Sequence, residues 1–298
     1  MTDPQHPRTG PLPDTAAAQA AAAASAAGVH VRELSELPDL AAVYRLYDAI
    51  WRPDPKNPPV NTELLRALTK SGNYVAGAYD GGQLIGACVG FFGPPAEEAM
   101  HSHIAGVSAA ALGRGIGYAL KLHQRAWALA RGVATIGWTF DPLVRRNAYF
   151  NLAKLAADPA EYLTNFYGGM RDGINSGDET DRLLVHWELG ADKVTAACAG
   201  TPHTVDAAVE LARGAVVGLG RSDGDAPVAG DLDGHTVLVA VPADIGALRS
   251  ADPGRAKEWR VALRESLVWM LDDGARITGF DKTGWYRLNR TDAGQEHR

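Results

Sequence analysis

The chain is nearly without cysteine: Cys88 and Cys198 are the only two among 298 residues. They lie far apart and outside any metal-ligand spacing. This argues against a disulfide framework and against a cysteine-built metal centre, and it fits a reducing, cytoplasmic compartment. No apolar run reaches the about 18 residues that a membrane helix needs, so no membrane partner is expected. An excess of positive charge is also missing. Lys and Arg number 29 against 35 Asp and Glu, a formal net charge of -6, which points away from a nucleic-acid partner. No GxxxxGK[ST] phosphate loop occurs, and no βαβ run carries an acidic ribose partner at the right spacing, so a nucleotide-binding reading is weak. The N-terminal "MTDPQHPRTGPLPDTAAAQAAAAASAAG" lacks a basic region feeding a leucine-rich one, and a signal peptide is not expected. Alanine offers little apolar surface, so residues 1–28 read as a mobile tail or at most a weak helix.

What is present is an ordinary globular composition, 46% hydrophobic and 21% charged. "VHVREL" predicts a short strand. Leu40, Val43, Tyr47 and Ile50 recur at helical spacing, and "TELLRALTKSG" predicts a second helix ended by Gly72. "NYVAGAY-DGG-QLIGACVGFF" predicts a hairpin, with Gly81 and Gly82 supplying the positive φ of its turn. "MHSHIAGV" is a strand that runs into a glycine-rich turn and then a helix to Ala130. "VATIGWTF" does not alternate and predicts a strand buried on both faces. A helix "RRNAYFNLAKLAA" and two strands, "AEYLTNFYGGM" and "RLLVHWEL", follow. The order is β-α-α-β-β-β-α-β-α-β-β to residue 190. A looser stretch then precedes a second packed unit. It contains the strand "TVLVAVP", a helix opened by Asp252-Pro253 with Trp259, Leu263, Leu267 and Met270 on one stripe, and the strands "ARITGF" and "GWYRLNR".

The turn "LGRGIG", Leu112 to Gly117, is ambiguous by itself. The N–H groups that open a helix are unpaired and carry partial positive charge, which suits a pyrophosphate. Gly113, Gly115 and Gly117 would let a ligand approach the backbone, with the Ile116 amide among the donors, and Arg114 would add a charged fork. The same residues also suit a tight strand-to-helix turn with no ligand.

The strand order with a glycine turn after the fourth strand resembles the GNAT superfamily of acyl-CoA N-acyltransferases over about residues 29–190. In that family's Gln/Arg-x-x-Gly-x-Gly/Ala motif, Gly115 and Gly117 fill the small positions and Leu112 replaces the Gln or Arg. The stretches "GIGYALKLHQR", "WTFDPLVRRNAYFNLAKL" and "DRLLVHWEL" resemble a long branch of the family that includes succinyl-CoA:amino-acid N-succinyltransferases. The resemblance implies a mixed α/β fold, with a central mixed sheet flanked by helices. The expected layout is a tail to residue 28, an acyltransferase domain at 29–190 and a C-terminal α/β extension at 191–298.

The resemblance also implies acetyl-CoA or succinyl-CoA as co-substrate, held by the turn, by the backbone of Gly106 and Val107 and by Asn147. Asn147 could equally cap its helix. The family's usual tyrosine acid would fall at Leu152 or Lys154 and is absent. Tyr149, Tyr162 and Tyr167 are substitutes, with Tyr167 favoured. His103 and Asp141 are the candidate bases: the first lies on the fourth strand and titrates near neutrality, and the second lies at a strand end. In the loop after Tyr167, Arg171 and Arg182 could hold an acceptor carboxylate, while Asp172, Asp178, Glu179 and Asp181 could receive an ammonium. The expected reaction is direct attack of a small amine, an amino acid foremost, on the thioester. The alternative is a non-catalytic acyl-CoA-binding module. Three roles stand open for the C-terminal unit: completing a sheet, covering the acceptor pocket or forming a homodimer interface.

Overall fold

The computed structural model describes residues 11–53, 58–168 and 178–290. The chain begins with α1 (Pro11–Ala26), β1 (His30–Glu33), α2 (Leu37–Trp51) and α3 (Thr62–Lys70). The hairpin β2 (Tyr74–Asp80) and β3 (Gln83–Phe92) comes next, followed by β4 (Ala99–Val107), α4 (Ile116–Ala130) and β5 (Thr135–Phe140). Then come α5 (Arg145–Ala148), β6 (Asp158–Leu163), β7 (Arg182–Glu188), α6 (Asp192–Cys198) and α7 (Ala207–Ala212). The remaining elements are β8 (Val216–Arg221), β9 (Pro227–Ala229), β10 (Thr236–Ala240), α8 (Ile245–Ala251), α9 (Pro253–Asp272), β11 (Arg276–Asp281) and β12 (Trp285–Asn289). None of the described helices is long and apolar enough to cross a membrane.

These elements form two compact units. One runs to Trp138 and takes up Glu188–Ala199; the other holds Thr139–Trp187 and the chain from Gly200 onward. This division departs from the boundary expected at residue 190. The reason is packing that sequence polarity does not report: Asp141, Asp178 and Asp181 are ion-paired to arginines of α8 and α9.

In the first unit, β1 to β4 are successive antiparallel neighbours, and β5 joins β4 in parallel. The DGG turn has the expected geometry, with φ of 53° at Gly81 and 88° at Gly82. Alternation along the strands sends residues to opposite faces. Val75, Ala87 and Val89 pack with Leu40, Val43 and Tyr47 of α2 and Leu65 of α3. The other face meets α4, where a Cβ at Gly86 would lie 3.0 Å from Ile116 and 3.2 Å from Leu120. Residues 11–26, expected as tail, are a helix whose Ala16 and Ala20 are buried. Small side chains let it approach closely, and Gln19 accepts from the buried Arg125 of α4 at 2.8 Å. Each buried methyl contributes only about 0.8 kcal/mol, which is why the sequence hides this packing.

In the second unit, β6 and β7 are antiparallel, and a five-stranded mixed sheet runs β11-β12-β10-β8-β9. The predicted stripe Trp259, Leu263, Leu267 and Met270 is fully buried. Asp252 caps α9 by accepting from the Arg255 amide at 2.9 Å, with Pro253 in the first turn. Two expectations change here. The predicted helix "RRNAYFNLAKLAA" is the short α5 followed by a π-helical turn, Tyr149–Lys154, closed by Leu155 N–H to the Phe150 carbonyl. The predicted strand through Tyr167 stops at Leu163, because Asp181 captures the Asn165 amide at 2.9 Å and Asn165 adopts φ of 44°. In β5, buried and partly buried residues alternate, so it is not covered equally on both faces.

Candidate functional site: the open edge of β4 and the glycine turn

Strand β4 pairs with β5 only at Ala99–Thr135, Met100–Ile136 and His101–Gly137. It continues to Val107 on the β3 side, with Ala87 opposite Gly106 and Gly86 opposite Val107. Among the described residues, no strand pairs with β4 on its β5 side beyond His101. The register against β3 slips between Ile104 and Ser102, which leaves His103 as the extra residue of a bulge. The bulge therefore lies at His103. Gly106 has a packing reason: a Cβ there would lie 2.5 Å from the Trp51 ring and 2.9 Å from Ile50. Gly106→Ala is expected to cost about 1–3 kcal/mol by overpacking. A urea midpoint equal to that of the wild type would show that Trp51 yields freely.

The turn after β4 leads directly into α4. Gly113 and Gly115 hold φ of 82° and 84°, a region where a side chain is strained. A Cβ at Gly113, Gly115 or Gly117 would meet nothing within 4 Å, so the turn is not packed shut by its own neighbours. Gly115 caps α4 without a side-chain acceptor, and the first helical bond is Ala119 N–H to its carbonyl. Gly115 is exposed and Gly117 half-buried, whereas Ile116 is buried, so the accessible backbone at this helix start is that of the glycines, with the helix dipole behind it. Leu112 is exposed.

Arg114 is employed elsewhere. Its guanidinium donates to Asp80 at 2.7 Å and to the Ala27 carbonyl at 3.3 Å, tying the turn to the β2–β3 hairpin and the end of α1. Both partners are partly exposed, and such pairs contribute about 0–1 kcal/mol. Arg114→Ala is therefore expected to change acyl-CoA affinity by no more than about fivefold. A larger loss in calorimetry would mean that the side chain swings onto the phosphate.

His103 stands on the exposed side of β4, with its ring 5.9 Å from that of Phe91 and 6.2 Å from that of His101. Desolvation lowers its pKa from the ordinary imidazole value, opposed by a hydrogen bond with the Pro59 backbone. Desolvation, His103 and Lys121 together push His101 down to about 4. Both rings are thus neutral near pH 7, and a neutral imidazole can accept a proton. Beneath the strand, buried Lys121 of α4 donates to Ser102 Oγ and Gln124 Oε1, each at 3.0 Å. Lys121 and Trp51 carried no recognisable signal in sequence, since each lies on an otherwise unremarkable helix.

The remaining candidates fall in the second unit. Burial would raise the Asp141 pKa, but Arg260 and Arg249 hold its carboxyl well below the usual carboxylate range. It accepts from Arg260 twice at 2.9 Å and from Arg249 at 2.7 Å. A carboxylate held this way is a structural anion and a poor base, which corrects its expected role. Asp178 bridges the same two arginines, and Arg264 binds Asp181 and Glu179, so these acids are already paired with arginines. Tyr162 donates to Asp181 at 2.6 Å, and burial raises its pKa, which disfavours it as an acid. Tyr167 is exposed in the turn after β6, with its hydroxyl 3.2 Å from that of Thr139. The Arg182 guanidinium lies 5.3 Å from the Tyr167 ring centre and donates to the Asp181 carbonyl at 2.9 Å. Asn147 is inside α5, whose N-cap is Val144, so it does not cap that helix. Arg171 and Asp172 lie outside the described residues.

A glycine turn that joins the fourth strand to a helix start is the arrangement the resemblance leads one to expect. Residues 40–151 match the model of the acetyltransferase (GNAT) family. The matched stretch is 112 of the chain's 298 residues, and the likeness to that family is shown for this stretch. No curated protein matches the chain. Solved structures similar to it include the ribosomal-protein-S18-alanine N-acetyltransferase of Escherichia coli, at 16% identity over 55% of this chain and 95% of that one, with a TM-score of 0.43. An N-acetyltransferase of Staphylococcus aureus is 19% identical over 54% and 98%, with a TM-score of 0.44. The yncA protein of Salmonella typhimurium, solved with its cofactor acetyl-CoA, is 16% identical over 56% and 98%, also at 0.44. The matched stretch contains β4, the glycine turn and α4, and it ends within the π-helical turn.

Proposed function

We propose that the protein is an acyl-CoA-dependent N-acyltransferase that moves an acetyl or succinyl group to a small amine, an amino acid foremost. One observation carries this reading: β4 runs on to Val107 after losing β5 at His101, and its end feeds an unfilled glycine turn at the start of α4. An amide-rich pantetheine arm would complete the open edge, and the pyrophosphate would sit on the amides of residues 115–117. A backbone N–H near Gly106 and Val107 would hold the thioester oxyanion.

In this mechanism His103 takes a proton from the acceptor ammonium, directly or through water. The amine nitrogen then bonds to the thioester carbon as the carbon–sulfur bond breaks. A second proton leaves the nitrogen as the amide forms, and one is returned to the departing thiolate. No acyl-enzyme is involved. Cys88 and Cys198 are both buried, and burial raises both thiols, whereas a nucleophilic cysteine must be a thiolate.

The test is a panel of acyl-CoAs against a panel of amino acids and other small amines, following thiol release and product mass. Turnover with a matched pair is expected. Tight acyl-CoA binding with no product from any amine would favour a binding module, a reading to which Leu112 and the missing tyrosine acid lend support.

A further inference from the structure

The parallel ladder between β4 and β5 ends at His101–Gly137. Continued in register, its next rung would join Ser102 to Trp138. Both side chains are buried, and both touch the same group. Lys121 reaches up from α4 and places its ammonium 3.0 Å from Ser102 Oγ and 3.6 Å from the centre of the Trp138 ring. Gln124, one turn further on, accepts from the same ammonium at 3.0 Å. We propose that Lys121 is a positioning residue, a buried wedge that stops β4 and β5 from zipping past His101 and so keeps the edge of β4 open for an acyl-CoA.

Several features fit a wedge better than a simple core contact. A lysine is costly to bury, and desolvation lowers its pKa to about 8, so it remains charged at neutral pH only against that cost. A methionine would fill similar volume without a charge to desolvate. The ammonium meets one side chain from each of the two strands, at the first position where they fail to pair. A cation over an indole face is the most favourable form of that contact, and Ser102 supplies the complementary oxygen. The Gln124 side-chain nitrogen, buried and without a hydrogen-bond partner among the described residues, lies 3.1 Å from where a Cβ of Gly90 would be, opposite Ser102 in β3.

The inference rests on the acyl-CoA reading, and two measurements separate them. The first is amide hydrogen exchange of the full-length protein without ligand. Lys121→Met is expected to slow exchange at residues 102–104 as the ladder extends, while its melting temperature is unchanged or higher. The second is acetyl-CoA binding by calorimetry. Lys121→Met is expected to raise the dissociation constant on the order of tenfold. It should also raise the KM for acetyl-CoA and leave the KM for the amine unchanged. Ser102→Ala removes one arm of the contact and should shift both readouts the same way, and Trp138→Phe, which keeps a ring face, should shift them less than Trp138→Leu. Unchanged exchange in a folded Lys121→Met overturns the wedge, as does unchanged acetyl-CoA affinity in a protein whose wild type binds it. Wild-type protein that binds no acetyl-CoA overturns the acyl-CoA reading instead, and the exchange result then decides the wedge by itself.

Discussion

His103→Ala is expected to lower kcat by about 100- to 10,000-fold, with the KM for acyl-CoA changed only a few-fold. The reason is location and protonation together. His103 is the unpaired residue of the β4 bulge, so its side chain stands out of register with β3. It is exposed enough to meet an acceptor, while nearby protein lowers its pKa. A base is competent above its own pKa. The acid limb of kcat/KM should therefore fall below the ordinary imidazole value of about 6.5, and it should be missing in the variant. His101 does not substitute: its pKa, pushed down to about 4, makes it the weaker base, and it is half-buried where His103 is exposed. If the variant keeps more than about a tenth of wild-type kcat, or keeps the same acid limb, the base is another group.

Asp141→Asn is expected to cost about 3–5 kcal/mol of stability, the largest loss of any single change considered, because it leaves Arg249 and Arg260 buried against a neutral group. Asp178 still faces both arginines, so this is the partial breaking of a network rather than its removal. The sign with pH follows from the direction of the shift. The folded carboxyl is held below its unfolded value, so its contribution is complete above about pH 4 and fades as pH falls through the folded value. Urea unfolding at pH 7 and at pH 3 should show a wild-type advantage that narrows in acid. A loss under about 1 kcal/mol at pH 7 would mean that Asp178 alone satisfies the arginines. The same variant bears on catalysis: activity that survives in proportion to folded protein would agree with a structural role for Asp141.

The elements legible in the sequence are those with a local cause. Asp80-Gly81-Gly82 dictates its own turn, Asp252-Pro253 starts α9, and the apolar spacing from Trp259 to Met270 settles which face of that helix is buried. The glycine turn also announced itself, since two of its residues need positive φ. Less legible were features whose cause lies across the fold. The alanine helix α1 packs through methyl groups too small to make a stripe. The strand through Tyr167 ends early because Asp181, far along the chain, accepts from the Asn165 amide. Asp141 resembled a base at a strand end, and Arg249 and Arg260, over a hundred residues later, make it a structural anion.

Sequence alone determined the order of strands and helices from residue 29 to 190 and the position of the glycine turn, because each depends on neighbours within a few residues. Only the tertiary structure decided that Arg114 binds Asp80 rather than standing free, that β4 bulges at His103, and that Lys121 lies where β4 and β5 part. These depend on which distant groups meet, and a charge or a register is assigned only when its partner arrives.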